Sequence, residues 1–210
     1  SFTWDESWFQ LEGYYRTGHF HWGYEGDFFN IYPEAYYQQA VDAFNADVPI
    51  GLVFSGKRAL SGLKIAYGPE IYWGANPTVI AKWYRESGPW QYSFMHQEDI
   101  AQRANAPTSS ALPIPQDRRS TIYMSRRFGP MTLELGGIMA GSRRVGRDFR
   151  YVVDVDEEAG LGSYLGTGQA LVEDEVGYED TFGAKAKIRL ELAPFYWYVQ
   201  GGYRGLVADA

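Results

Sequence analysis

Few residues in this chain of 210 could do acid–base or metal chemistry. It has three histidines and no cysteine. His19 and His21, in "GHFHWGY", are two residues apart and would share one strand face, offering a metal two ligands. No third ligand lies near them in sequence, so metal content stays open. His96 sits in "HQED" beside Glu98 and Asp99, an acid–histidine grouping that a hydrolase can use. No nucleophile motif of the G-x-S-x-G kind is present. Glu70, Glu98 and Glu134 are candidate acids for cleaving a glycosidic bond, but spacing alone selects no pair. The lack of cysteine excludes a disulfide scaffold, a zinc ribbon and a cysteine nucleophile.

Two acidic runs, "DVDEEAG" (154–160) and "VEDEVGYED" (172–180), could supply oxygen ligands to calcium. They lack the D-x-[DN]-x-[DN]-G spacing of an EF-hand, and a solvated loop is the ordinary outcome for such runs. The preceding "SRRVGRDFRY" could pair with these acids or contact lipopolysaccharide phosphates. The net charge is −7. Ten acids and four arginines fall between residues 143 and 180, so the acidity belongs to one segment. No basic stripe with interleaved aromatics appears, and no nucleic-acid partner is expected.

The elements that would position these groups are strands. "LKIAYGPEIYW" (63–73) sets Leu63, Ile65, Tyr67, Ile71 and Trp73 against Lys64, Ala66, Gly68, Glu70 and Tyr72, a two-faced pattern of period two. The same alternation runs through "WFQLEGYYR", "TVIAKWYRE", "WQYSFMHQED", "MTLELGGIM", "TFGAKAKIRLEL" and "FYWYVQGGYRG". With "PIGLVFSGK" and "STIYMSRRF" this makes about nine strands. Several of these runs span about 9–12 residues, beyond the usual globular strand length of about 5–6. Pro69 inside the first run predicts a bulge or bend at Gly68-Pro69. Tight junctions at 59–62, 87–89, 129–130 and 193–194 alternate with longer connections near 74–77, 102–118 and 143–177. Trp83, Trp90, Tyr92, Phe128, Phe195 and Trp197 gather beside the tight turns, as interfacial aromatics do. Pro33 followed by Ala35, Tyr36, Gln39, Ala40, Ala43 and Phe44 predicts a short helix within a loop insert at 24–48. That insert either folds inward as a constriction or caps the rim.

Dyad repeats and alternating turn lengths over roughly 49–101, 119–142 and 178–208 resemble those of bacterial outer-membrane β-barrel proteins of the porin-like kind. The resemblance implies an all-β antiparallel transmembrane barrel, located in the outer membrane of a Gram-negative bacterium and surrounded by lipid and lipopolysaccharide. Residues 1–210 would form a single barrel domain, or a fragment of a larger barrel, with an acidic loop at 143–177. Nine is odd, whereas single-chain bacterial barrels are even. Other barrel or periplasmic subunits are further partners that this reading allows.

If the apolar parity faces lipid, the other parity lines an interior. It would receive Glu12, Arg16, Lys64, Glu70, Lys82, Tyr84, Glu134, Lys185, Lys187, Arg189, Glu191 and Arg204, with Tyr14, Tyr72, Glu86, Tyr196 and Tyr198 among them. This mixed, slightly basic lining suits a channel for polar or anionic solutes. Rings beside charges also suit saccharides. No cofactor and no chemical step are expected. The alternative is a soluble exported β-sandwich that binds or cleaves glycans, and a third reading is a structural or assembly barrel.

Overall fold

The computed structural model describes residues 1–15, 21–32, 35, 50–68, 78–99, 118–154, 163–164 and 169–205. Each of the nine two-faced runs contains a strand of the large sheet, and a tenth strand precedes them. The strands are β1 (Phe2–Asp5), β2 (Phe9–Tyr15), β3 (Ile50–Gly56), β4 (Leu63–Tyr67), β5 (Thr78–Ser87), β6 (Trp90–Asp99), β7 (Arg118–Phe128), β8 (Met131–Ala140), β9 (Asp148–Asp154), β10 (Ser163–Tyr164), β11 (Gln169–Glu175), β12 (Phe182–Leu192) and β13 (Phe195–Arg204). Ten of them form one antiparallel sheet in the order β1-β2-β3-β4-β5-β6-β7-β8-β12-β13. This sheet is not closed, and β1 and β13 are its two edges.

One register runs across the sheet. Lys64, Lys82, Met95, Thr121, Ile138, Gly183 and Arg204 are successive partners from β4 to β13. One residue along, Leu63, Trp83, Phe94, Ile122, Gly137, Ala184 and Tyr203 form the neighbouring rung. Side chains alternate faces along a strand, so the two rungs lie on opposite faces. Burial separates them: Met95 is 1% exposed, whereas Ile122 is 62% exposed. The outward face is apolar through its middle, with Trp83, Phe94, Leu135, Ile188, Trp197 and Val199 all exposed. Its charges sit near the two ends. Arg126 lies over the Trp90 ring at 4.7 Å and the Phe128 ring at 4.5 Å, close to the tight turns.

Short connections at 6–8, 57–62, 88–89, 129–130 and 193–194 join strands at one end of the sheet, and the strand ends that bound the four longer stretches, near 16–49, 68–77, 100–117 and 141–181, lie at the other. The sequence reading missed β1 because "FTWD" is too short to show periodicity. The segment taken as an acidic loop instead carries a second antiparallel sheet, ordered β10-β11-β9. Its pairing sets Arg150 opposite Glu173, with Nε 2.6 Å from the carboxylate. Opposite charges facing across two strands support pairing that the charge run alone concealed. The run at 63–73 leaves the ladder at Gly68, whose φ is 64°. Pro69 through Pro77 lie outside the described residues, as does the expected helix beyond Ala35.

Between β3 and β4 the chain turns back through Gly62, at φ 90°, where an added Cβ would lie 2.0 Å from the Tyr84 carbonyl oxygen. Gly88 in the β5–β6 turn also has positive φ, 59°, but open space around it. Gly88→Ala should therefore cost only the left-handed backbone penalty of about 1–2 kcal/mol. Gly62→Ala should cost clearly more in the same denaturant titration. Equal losses would contradict the close approach described here.

Candidate functional site

The inward face is partly filled by the chain itself. Residues 21–32 fold back onto it, and the backbone N–H of Trp22 donates to the Ala35 carbonyl at 3.1 Å. Trp22, Tyr32 and Ala35 pack with Tyr14, Val53, Ala66, Ile80 and Met95, drawn from β2 to β6. Phe29 packs with Ile138 and Ala140 of β8, and the Phe28 carbonyl accepts from Lys185 of β12 at 3.2 Å. A flat sheet would place β2 and β12 about 34 Å apart, at about 4.8 Å per strand. A segment this short, folded on itself, reaches both, so the sheet curls around it. Of the two placements open to the insert, the described part takes the inward one.

Local chemistry fixes this segment. The buried Asp27 carboxylate accepts from the Ile31 and Tyr32 backbone N–H groups at 3.2 and 3.0 Å. Tyr32 is fully buried and its hydroxyl donates to the Met95 carbonyl at 3.1 Å. Burial pushes the Tyr32 phenol well above its ordinary pKa, which keeps it a neutral donor. Lys82 of β5 donates to the Gly23 carbonyl at 2.9 Å and faces Glu25 at 3.6 Å. Gly136 of β8 makes room for the ring of Phe28, which would lie 2.5 Å from any Cβ there.

Beside the segment lies a cavity of about 540 Å³. Its walls are residues 24–28 and Asn30 on one side, and side chains of β5, β6, β7, β8 and β12 on the other. Four carboxylates and three cations line it, and the carboxylates are largely engaged. Glu25 faces Lys82, and Asp27 caps the turn. Glu86 accepts from the Tyr84 hydroxyl at 2.5 Å and from the Gln91 amide at 3.1 Å. Glu134 accepts from the Tyr123 hydroxyl at 3.0 Å and pairs with Arg189 at 2.8 Å. The two lysines differ. Lys185 lies 4.5 Å over the Phe28 ring, and Lys187 lies 4.9 Å over the Tyr198 ring. Neither has a carboxylate within ion-pair distance among the described residues.

Of the residues chosen from sequence, Tyr84, Glu134, Lys185, Lys187 and Arg189 meet in this cavity. Lys82 instead anchors the inward segment, and Lys64 is its register partner on β4. Glu12 lies on β2 and Arg204 at the β13 edge, away from the cavity. Glu191 lies beside the tight turn, 4.0 Å from Arg127. Arg16 and Glu70 lie outside the described residues, as does His19. His21 is buried against Tyr14 and Trp22, in ring contact with both. Among the described residues no three His, Asp or Glu side chains converge as a metal site would need. Sequence reasoning missed Tyr24, Glu25, Asp27, Phe28 and Asn30, which have no strand periodicity. The one available signal was their composition, "YEGDFFN", rich in both rings and acids.

Asp27→Ala removes the acceptor of two backbone donors in a buried turn. It should destabilise the inward segment by about 1–3 kcal/mol. The emission of Trp22 should move to the red as its pocket opens, while the sheet signal in far-UV circular dichroism persists. Unchanged tryptophan emission would contradict this role for Asp27. Comparison with protein-family models, curated proteins and solved structures finds no match to this chain.

Proposed function

We propose that this chain forms the wall of an outer-membrane channel for polar or anionic solutes, saccharides with acidic groups among them. Residues 21–32 constrict the passage in this reading. The observation that carries it is how the charges of the cavity are partnered: Glu25, Asp27, Glu86 and Glu134 are held by protein donors, while Lys185 and Lys187 have no carboxylate within ion-pair distance among the described residues. Lysines without an acidic partner favour anions over cations at the point where they face the passage. Rings at Tyr24, Phe28, Tyr84 and Tyr123 supply the flat apolar surfaces against which sugar faces pack.

The outward face supports the membrane placement. On β12 it is apolar from Phe182 to Leu192, 11 residues. That is roughly 34 Å of strand, and at a tilt of about 40° it covers about 25 Å, the height of the apolar band of a membrane barrel. A soluble sandwich would cover this face with a second sheet, and the described residues leave it exposed.

Two measurements test the proposal. Leu135→Arg places a charge mid-band on the outward face. It should destabilise the protein by about 2–4 kcal/mol in lipid, against less than about 0.5 kcal/mol for a water-facing site. A neutral effect in vesicles would refute the lipid-facing assignment. Lys187→Glu should leave the fold intact and reverse the sign of the reversal potential across a KCl gradient in a planar bilayer. An unchanged potential would refute the anion-selective cavity.

A further inference from the structure

A second polar cluster lies on the opposite face, outside the curl of the sheet, toward the end with the long connections. His96 and Glu98 of β6 and Ser120 of β7 all point outward there. His96 and Ser120 are direct register partners. His96 Nδ1 is 2.8 Å from Ser120 Oγ, and His96 Nε2 is 3.5 Å from Glu98 Oε2. A hydroxyl, an imidazole and a carboxylate are thus strung in the order that activates a serine nucleophile. In the tautomer that carries its proton on Nε2, the nitrogen nearer Glu98, the Nδ1 lone pair accepts from the hydroxyl. Arg118 precedes Ser120 by two residues on the same face, and its Nε is 3.7 Å from Glu98. Its half-exposed guanidinium carries the positive charge that an oxyanion or a phosphate needs.

The cluster's position indicates a substrate. The exposed apolar side chains of Phe94 and Ile122 are the next outward residues along β6 and β7, and the exposed Met139 is the register partner of Ser120. The cluster therefore marks the line where the apolar band gives way to polar groups. In a membrane lipid, the same line is where the acyl chains end and the ester carbonyls begin. We infer that Ser120, His96 and Glu98 form an esterase site on the outer surface of the sheet that takes acyl esters of membrane lipids. Ser120 Oγ attacks the ester carbonyl carbon while its proton passes to His96. The C–O bond to the alcohol breaks, and His96 returns the proton to the departing alcohol. Water then attacks the acyl-serine, giving up a proton to His96. The acyl C–O bond to Ser120 breaks, the proton returns to Ser120, and the free carboxylic acid leaves. The lipid assignment rests on the outward face lying in the bilayer, while the chemistry of the cluster does not.

The whole chain, folded in detergent, is treated with a fluorophosphonate probe, with far-UV circular dichroism as the check on folding. A phosphonyl adduct on Ser120 is expected by mass spectrometry. It should vanish in Ser120→Ala and form at least about 100-fold more slowly in His96→Ala. Folded protein without an adduct on Ser120, or an unchanged rate in His96→Ala, overturns the site. Should Ser120→Ala fold poorly, Ser120→Cys gives a unique thiol in this cysteine-free chain. The imidazole should speed its alkylation by iodoacetamide at least about tenfold over Ser120→Cys/His96→Ala, and equal rates overturn the site. Dioleoylphosphatidylcholine in mixed micelles should release fatty acid with the wild type and none with Ser120→Ala. Turnover of p-nitrophenyl butyrate without that release overturns the lipid assignment alone. None of these readouts depends on conductance, so the esterase and channel readings fail separately.

Discussion

Once strand register is set, a β-sheet leaves a side chain no choice of face. Here one register holds from β2 to β13, and everything else depends on it. It gathers Tyr84, Glu134, Lys185, Lys187 and Arg189 on the inward side and hands Trp83, Phe94, Ile122 and Leu135 to the outward side. A slip of one residue in β12 alone would turn three cations toward the apolar face and bury Ala184, Ala186 and Ile188 among carboxylates. Neither side tolerates that exchange, because an unpaired charge loses more free energy in an apolar environment than most single contacts return.

The inward segment follows from the same constraint. A curled sheet whose inner rungs include Val53, Ala66, Ile80, Met95 and Ile138 exposes apolar surface on its concave side. Trp22, Phe29 and Tyr32 cover that surface, and polar groups of the sheet reach the segment's backbone. Lys82 and Lys185 each donate to one of its carbonyls, and the Tyr32 hydroxyl returns a bond to the sheet. The segment satisfies its own turn through Asp27, so its backbone survives burial without regular structure. The cavity exists because this packing stops short of the wall carrying Lys187.

Much of the fold was legible in the sequence, and the reason is periodicity. Strands such as Phe182–Leu192 alternate so strictly that both the element and its two faces could be read without structure. The short and long connections were equally readable, because Gly-Pro pairs at 88–89 and 129–130 punctuate the tight end. What escaped notice had no period. β1 is four residues long, and β9 to β11 were hidden under their charge. The cavity was legible by half: its strand-borne wall follows from parity, but the wall built of Glu25, Asp27 and Phe28 depends on how a loop packs. The pairing of His96 with Ser120 was likewise invisible, because 24 residues separate partners that only strand register brings side by side.

The two free edges of the large sheet carry an arithmetic of their own. Neighbouring strands are antiparallel throughout, and there are ten of them, so β1 and β13 run in opposite directions. If these edges meet directly, they meet antiparallel, with the same hydrogen-bonding pattern as the rest of the sheet. If other strands intervene in an unbroken antiparallel succession, their number must be even, since an odd insertion would force one parallel seam. The direction of two edge strands thus restricts any closed form that is antiparallel throughout to even strand numbers, whatever supplies the added strands.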